Sequence, residues 1–177
     1  MKKSFILSTA LLLFTNILLA QRKTPEVIGD VFERILPATA VIVPLIIKDK
    51  DGTKQAIKTV LTSAIITYSL KRIINKPRPN GGEYSFPSGH TSAAFSGAAS
   101  IQRRYGWKYG SIMYAMAAYT GWSRVNANKH DYWDVLGGAA IGIGSAYLFT
   151  KPYEKQNLHV SFGKSQDYYI LSVNYIF

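Results

Sequence analysis

Residues 87–101, Pro-Ser-Gly-His-Thr-Ser-Ala-Ala-Phe-Ser-Gly-Ala-Ala-Ser-Ile, form the stretch that decides the fold. Its small side chains predict a helix from about Ser88 to Ile101 that lets neighbouring helices come close. A second helix of this kind is predicted from about Tyr132 to Phe149. Its small residues include Gly137, Gly138, Gly142 and Gly144. The chain is therefore predicted to be all-α, with tightly packed helices.

Further helical patterns lie on both sides of this stretch. They cover about Ile35–Ile47, Gln55–Ile74 and Tyr109–Ser123. Pro77 ends the second pattern, because the residue before a proline is disfavoured in a helix. Residues 21–32 are polar and mixed in charge, which is typical of a linker. We expect a bundle of five to six helices within residues 21–152.

The two ends of the chain differ from the middle. Residues 1–20 combine Lys2 and Lys3 with an apolar run that ends at Ala20. This pattern predicts either a signal peptide or a first membrane helix, and both direct a chain out of the cytoplasm. Residues 153–177 contain two alternating stretches around a turn that begins at Gly163, which predicts a C-terminal β-hairpin tail.

The charge balance points to an anionic partner. The formal net charge is +11, and the absence of cysteine excludes disulfides and thiolate metal sites. Nucleic acid is not expected, because basic and aromatic residues are not interleaved and the chain begins as a secreted one does. Phosphorylated substrates and anionic lipids remain as partners.

Charge placement favours a membrane topology. If residues 1–20 form the first of six helices, the basic clusters fall on one side and the loops with Arg78, His90 and His130 fall on the other. The basic clusters are Lys2–Lys3, Lys48–Lys58, Arg103–Lys108 and Lys151–Lys155. The mean hydropathy of +0.02 is low for six transmembrane helices, so the number of membrane spans stays open.

Three short stretches carry phosphate-binding groups. In the predicted topology all three lie on the side that holds Arg78, His90 and His130. They are residues 71–79 (KRIINKPRP), 87–90 (PSGH) and 123–134 (SRVNANKHDYWD). Lys71, Arg78 and Arg124 supply positive charge, and arginine offers paired N–H donors to a phosphate. Ser88 and Gly89 precede a helix, whose first backbone N–H groups point at a bound anion. Together these groups predict a cradle for a tetrahedral oxyanion.

Two histidines complete the predicted site. His130 and Asp134 are four residues apart, so on a helical turn their side chains are neighbours. The carboxylate would keep one ring nitrogen protonated and leave the other to attack phosphorus. His90 would then act as general acid on the leaving oxygen. We expect no metal or cofactor, because the cations neutralise the phosphate.

Each residue taken alone also has a structural explanation. Asp134 would be an ordinary helix cap, and Lys71 and Arg78 would be charges that set the topology. A lone histidine is more often structural than catalytic. The joint occurrence of all three stretches at these spacings favours a catalytic site.

The pattern Lys-x6-Arg-Pro, Pro-Ser-Gly-His and Ser-Arg-x5-His-x3-Asp resembles the type 2 phosphatidic acid phosphatase family. That family shares its site with bacterial nonspecific acid phosphatases and vanadium haloperoxidases. The resemblance implies a helical bundle in the cell envelope, with the site on the periplasmic or exterior face. It implies a phosphohistidine on His130, oriented by Asp134, and protonation of the leaving group by His90. The implied phosphate ligands are Lys71, Arg78, Ser88, Gly89 and Arg124.

The resemblance leaves the substrate open. The first expectation is a metal-independent phosphatase acting on a membrane lipid: phosphatidate, phosphatidylglycerol phosphate, undecaprenyl diphosphate or a lipid A phosphate. A second is a nonspecific acid phosphatase for small soluble phosphates. A vanadate-dependent haloperoxidase is a third, disfavoured by the short chain. A non-catalytic envelope protein that docks through its tail is a fourth.

Overall fold

The computed structural model describes residues 24–153, 158–164 and 169–175. These residues form five helices, α1 to α5, followed by a two-stranded antiparallel hairpin in which Leu158 lies opposite Tyr175. The elements are α1 (Thr24–Ile46), α2 (Lys50–Ile74), α3 (Gly89–Tyr105), α4 (Trp107–Asn126), α5 (Tyr132–Phe149), β1 (Leu158–Lys164) and β2 (Tyr169–Tyr175). The predicted all-α bundle with a short C-terminal hairpin is confirmed.

Some predictions fall outside the described residues. The signal peptide or membrane helix predicted for residues 1–20 lies there, as does part of the hairpin turn at 165–168. The boundary between a bundle at 21–152 and a tail at 153–177 stays a prediction. As for the predicted transmembrane helices, none of the helices in the described ranges combines the length and the apolar character needed to cross a bilayer.

Helix α3, the stretch first quoted, lies at the centre of the bundle and contacts all four other helices. Its Ala94 and Ala98 pack with Leu36 of α1 and Ala117 of α4 in a fully buried cluster. Because these side chains are small, the helix backbones come close enough to exclude water without bulky core residues. The helices alternate in direction, so the loop at 75–88, the loop at 127–131 and the start of α1 share one end of the bundle.

Glycines set the closest approaches to α3. A Cβ atom on Gly97 would lie 2.3 Å from the carbonyl carbon of Leu36 in α1. A Cβ atom on Gly142 of α5 would lie 2.5 Å from the backbone oxygen of Ser92. No side chain fits at such distances, so these positions require glycine.

Asp49 secures the opposite end of the bundle. It caps the start of α2 by accepting a hydrogen bond from the Gly52 N–H at 2.9 Å. It also accepts from Arg104 Nε and from the Tyr105 hydroxyl, both at 2.8 Å. One buried carboxylate therefore ties the junction of α1 and α2 to the end of α3.

The prediction of a linker at residues 21–32 was wrong for the described part, because α1 already begins at Thr24. The polar residues that suggested a linker form ion pairs within the bundle: Asp30 pairs with Arg124, and Glu26 with Lys129. A short polar stretch at the start of an amphipathic helix resembles a linker in sequence, because the partners that bury its charges lie about a hundred residues away.

The glycine contacts predict opposite effects for two neighbouring substitutions in α5. Gly142→Ala is expected to lower the free energy of unfolding by about 1–3 kcal/mol, because its methyl group must displace the α3 backbone. Gly144→Ala is the matched control: its Cβ meets nothing within 4 Å, and alanine favours a helix over glycine by roughly 1 kcal/mol. Denaturant unfolding of both variants in one detergent measures the difference. Equal effects would contradict the close packing.

Candidate active site

The three stretches identified in the sequence meet at one end of the bundle, around a cavity of about 320 Å³. The sequence-predicted residues that line the cavity are Lys71, Arg78, Gly89, His90, Arg124 and His130. The other two, Ser88 and Asp134, are fully buried and contact each other, since the Ser88 N–H donates to the Asp134 carbonyl at 2.9 Å. The structure therefore brings all eight residues together.

His130 is held by the carboxylate predicted to orient it. Its Nδ1 lies 3.4 Å from Asp134 Oδ2 and 3.3 Å from the Ser85 hydroxyl. With Nδ1 engaged, Nε2 is the ring nitrogen that remains for chemistry in the cavity. Burial, reinforced by the charges of Lys71 and Arg78, lowers the pKa of His130 to about 4. The imidazole is therefore neutral, as a nucleophile must be, at any pH well above that value.

Asp134 has two functions in the structure. His130 precedes α5, Asp131 caps the helix, and Asp134 stands in its first turn. The Asp131 side chain accepts from the Asp134 N–H, and Asp134 Oδ2 accepts from the Asp131 N–H, both at 3.0 Å. This capping box fixes the carboxylate rigidly beside the ring. The helix-cap explanation is confirmed, and the contact with His130 is present, whereas the catalytic role of Asp134 stays a prediction.

Sequence reasoning missed two further partners of Asp134. The Ser85 hydroxyl donates to its Oδ2, and Lys76 Nζ donates to its Oδ1 at 2.9 Å. Burial raises the pKa of Asp134, but the hydrogen bonds from Ser85 and Lys76 outweigh burial and hold the pKa below its usual value. Lys76 lies between the predicted Lys71 and Arg78, and Ser85 precedes the Pro-Ser-Gly-His stretch. No spacing rule in the sequence singled them out.

The loop at 75–88 fixes the side-chain positions of two cations of the first stretch, Lys71 and Arg78. Lys71 Nζ donates to the carbonyls of Tyr84 and Ser85, at 2.8 and 3.3 Å. Arg78 Nε donates to the Glu83 carbonyl at 3.0 Å, so the loop folds back over both side chains. Burial and the nearby Arg78 charge lower the pKa of Lys71 to about 8.

The predicted helix start after Pro87 is present, and Ser88 is its N-cap. The Ser88 hydroxyl accepts from the Thr91 hydroxyl at 2.9 Å and from the Thr91 N–H at 3.4 Å. Ser88 thus caps α3 within the protein, whereas Gly89 lines the cavity. The positive end of the α3 dipole points at whatever anion occupies that cavity.

Helix α1 packs against Arg124 and His90 at the cavity. Arg124 is fully buried, and its Nη1 donates to Asp30 Oδ1 at 2.7 Å while its Nη2 donates to the Glu26 carbonyl at 2.8 Å. His90 Nε2 lies 3.2 Å from the same Asp30 oxygen. Burial, with a further effect of the Arg124 charge, lowers the pKa of His90 to about 4. Asp30 was missed because its segment was interpreted as a linker.

The chemistry of this arrangement is that of phosphate binding and transfer. Five cationic side chains, the start of α3 and two imidazoles line one cavity. Such a set is suited to neutralise a tetrahedral oxyanion. Fold and site together define a helical-bundle phosphatase.

The chain belongs to the PAP2 superfamily, whose family model matches residues 4–158. This confirms the predicted family and the predicted enzyme class, a phosphoric monoester hydrolase of the lipid phosphatase type.

Individual relatives agree with this assignment. The chain is 37% identical to the lipid A 4'-phosphatase of Helicobacter pylori strain J99 over 142 residues, which are 73% of this chain and 71% of the relative. It is 29% identical to a Helicobacter pylori lipid A 1-phosphatase over 131 residues, 68% of this chain and 69% of the relative. The crystal structure of Aquifex aeolicus LpxE superimposes with a TM-score of 0.62 at 26% identity, covering 78% of this chain and 92% of that one.

The pKa of Lys71 predicts a pH effect on substrate binding. Below about pH 8 the ammonium is charged and attracts phosphate, whereas above that pH it loses its proton. The KM of the wild-type enzyme is therefore expected to rise up to about tenfold per pH unit above pH 8. Lys71→Arg keeps its charge and is expected to bind more weakly at neutral pH but without this alkaline rise. An identical rise in both proteins would contradict the assignment.

The Ser85 contact predicts a defect in kcat. Ser85→Ala removes one hydrogen bond to the buried Asp134 carboxylate, a loss of about 1.5–3 kcal/mol, and is expected to lower kcat roughly tenfold or more. The pKa of Asp134 would rise, so the acid limb of the kcat profile moves to higher pH. Ser100→Ala is the control, because the buried Ser100 hydroxyl finds no partner among the described residues. Equal kinetics for the two variants would refute the role of Ser85.

Proposed function

We propose that the protein is a metal-independent phosphatase that removes a phosphate group from lipid A, or from a membrane lipid of that type, through a phosphohistidine on His130. The observation that carries the proposal is the convergence of Lys71, Arg78 and Arg124 with the two histidines on one cavity. The relatives named as lipid A 4'- and 1-phosphatases support lipid A as the first substrate to test.

The first chemical step transfers the phosphoryl group to the protein. The phosphate binds between Lys71, Arg78 and Arg124, whose charges stabilise its equatorial oxygens. Neutral His130 attacks phosphorus through Nε2, while Asp134 stabilises the positive charge that develops on the ring. The negative charge of the bound phosphate favours the protonated form of His90. The bond from phosphorus to the sugar oxygen then breaks as His90 donates its proton to that oxygen. The products are the dephosphorylated lipid and a phosphorylated His130.

The second step returns the enzyme to its starting state. A water molecule attacks the phosphorus of phosphohistidine, and His90, now neutral, takes a proton from that water. The nitrogen–phosphorus bond breaks, inorganic phosphate leaves, and His90 is protonated again for the next cycle. The cations carry the charge neutralisation throughout, which is why no metal enters the proposal.

We further propose that the enzyme is membrane-associated in the cell envelope, with the cavity facing the periplasm or the exterior. Large apolar side chains stand exposed around the cavity end of the bundle, and a soluble surface rarely exposes so many together. They include Ile73, Ile74, Trp122, Tyr132 and Trp133. Aromatic residues of this kind favour the boundary between lipid and water, where the phosphate of a lipid substrate lies.

Phosphate release from purified lipid A in mixed micelles tests the function. His130→Ala is expected to lower the rate by at least about 10³-fold and His90→Ala by about 10²–10⁴-fold. His159→Ala, which changes the third histidine of the chain outside the three stretches, is the control with near-normal activity. Full activity after treatment with EDTA is expected.

Several results would overturn the proposal. No release from lipid A or another membrane lipid phosphate would contradict the lipid substrate, and faster turnover of p-nitrophenyl phosphate would favour a soluble one. An active His130→Ala enzyme would contradict the nucleophile.

A further inference from the structure

Asp30 of α1 lies outside the three stretches that carry the family resemblance, yet it contacts two of their residues. Its Oδ1 atom accepts from Arg124 Nη1 at 2.7 Å and lies 3.2 Å from His90 Nε2. Its side chain is only 14% exposed. One carboxylate oxygen thus connects the buried arginine of the phosphate cradle to the histidine proposed as general acid.

The backbone of α1 is shaped to bring Asp30 to this position. A Cβ atom on the preceding residue, Gly29, would lie 2.0 Å from the Ser123 hydroxyl and 2.8 Å from Arg124 Nη2. Glycine therefore allows α1 to lie directly against the end of α4. The Glu26 carbonyl, one turn earlier, accepts from Arg124 Nη2 and fixes the same approach.

The charges around His90 come from three elements. Asp30 faces it from α1, Arg124 faces it from α4, and Lys129 faces it from the loop before α5. Burial and the two cations all disfavour the protonated ring, and Asp30 acts in the opposite direction. Lys129 is itself paired with Glu26, whereas Asp30 contacts the imidazole directly. Asp30 therefore favours the protonated form of His90, which is the form that a general acid requires.

We propose that Asp30 is a positioning residue that holds the reacting proton on His90 Nε2 until the leaving oxygen of the substrate takes its place. In the empty site the ring donates to Asp30 Oδ1. When substrate binds, the leaving oxygen becomes the acceptor, the proton moves to it as the phosphorus–oxygen bond breaks, and Arg124 keeps the carboxylate in place. This proposal rests on the proposed function for its chemical role.

A titration without substrate tests the proposal independently of the reaction. Nitrogen-15 NMR of labelled histidine, assigned with His130→Ala and His159→Ala, reports the protonated fraction of His90 in the free enzyme. Asp30→Asn keeps the shape and an acceptor oxygen but removes the charge. It is expected to lower the protonated fraction of His90 about tenfold between pH 4 and 6, a pKa shift of about one unit, and to leave His130 unchanged. An unchanged or higher protonated fraction of His90 would overturn the proposal.

Kinetics supply the second readout. Asp30→Asn is expected to lower kcat for the lipid phosphate by about tenfold at every pH well above the His90 pKa of about 4, and by less as the pH falls to that value, while Asp30→Glu restores part of the loss. Asp51→Asn is the matched control: it removes an exposed carboxylate from the first turn of α2, at the opposite end of the bundle. Its pH profile is expected to keep the wild-type shape.

The outcomes separate the two proposals. A loss in Asp30→Asn that is confined to KM, with kcat unchanged, would mean that Asp30 only supports Arg124, and would overturn the role in proton holding. If the wild-type enzyme released no phosphate from any lipid while Asp30→Asn still lowered the protonated fraction of His90, the proposed function would fail and the Asp30–His90 coupling would stand.

Discussion

The buried carboxylate of Asp134 is the constraint on which the site depends. An ionised carboxylate removed from water is stable only when several donors satisfy it, and here they come from separate parts of the chain. Lys76 and Ser85 donate to Asp134 from the loop at 75–88, and the Asp131 N–H donates from the start of α5. His130 completes the set. Satisfying one charge therefore places the proposed nucleophile, folds the loop that carries Arg78 and contacts Lys71, and begins a helix.

A second carboxylate organises the other wall of the cavity in a similar way. Asp30 contacts His90 and Arg124, so each of the two histidines is paired with an aspartate on its own side of the phosphate site. The pairs differ in environment. The pair of His130 and Asp134 is sealed from solvent, whereas the side chain of His90 is 39% exposed and open to an arriving substrate. This asymmetry is consistent with the proposed roles of His130 as a fixed nucleophile and of His90 as an acid that exchanges its proton with the leaving group.

Much of this site was predictable because its chemistry requires particular residue types, and these stand at short spacings in the sequence. Eight residues from Lys71 to Asp134 were identified from the sequence; six of them line one cavity, and Ser88 and Asp134 are buried beside it. Asp30, Lys76 and Ser85 were not, because their importance comes from tertiary contacts that no local pattern encodes. The stretch around Asp30 even resembled a linker, since its charges are balanced by Arg124 and Lys129, about a hundred residues later in the chain. Ser88 was predicted to bind the substrate; the structure shows that it is fully buried and caps α3, and substrate binding by Ser88 stays a prediction.

The central claim is that phosphate passes through a covalent bond to His130. Rapid quenching of the enzyme with phosphorus-32-labelled lipid, followed by peptide mapping, tests it most directly. The account predicts protein-bound phosphate that is stable in base, labile in acid and located on the peptide containing His130, and absent from His130→Ala. Turnover without any such intermediate under conditions that trap it, or phosphate on a different residue, would contradict the account.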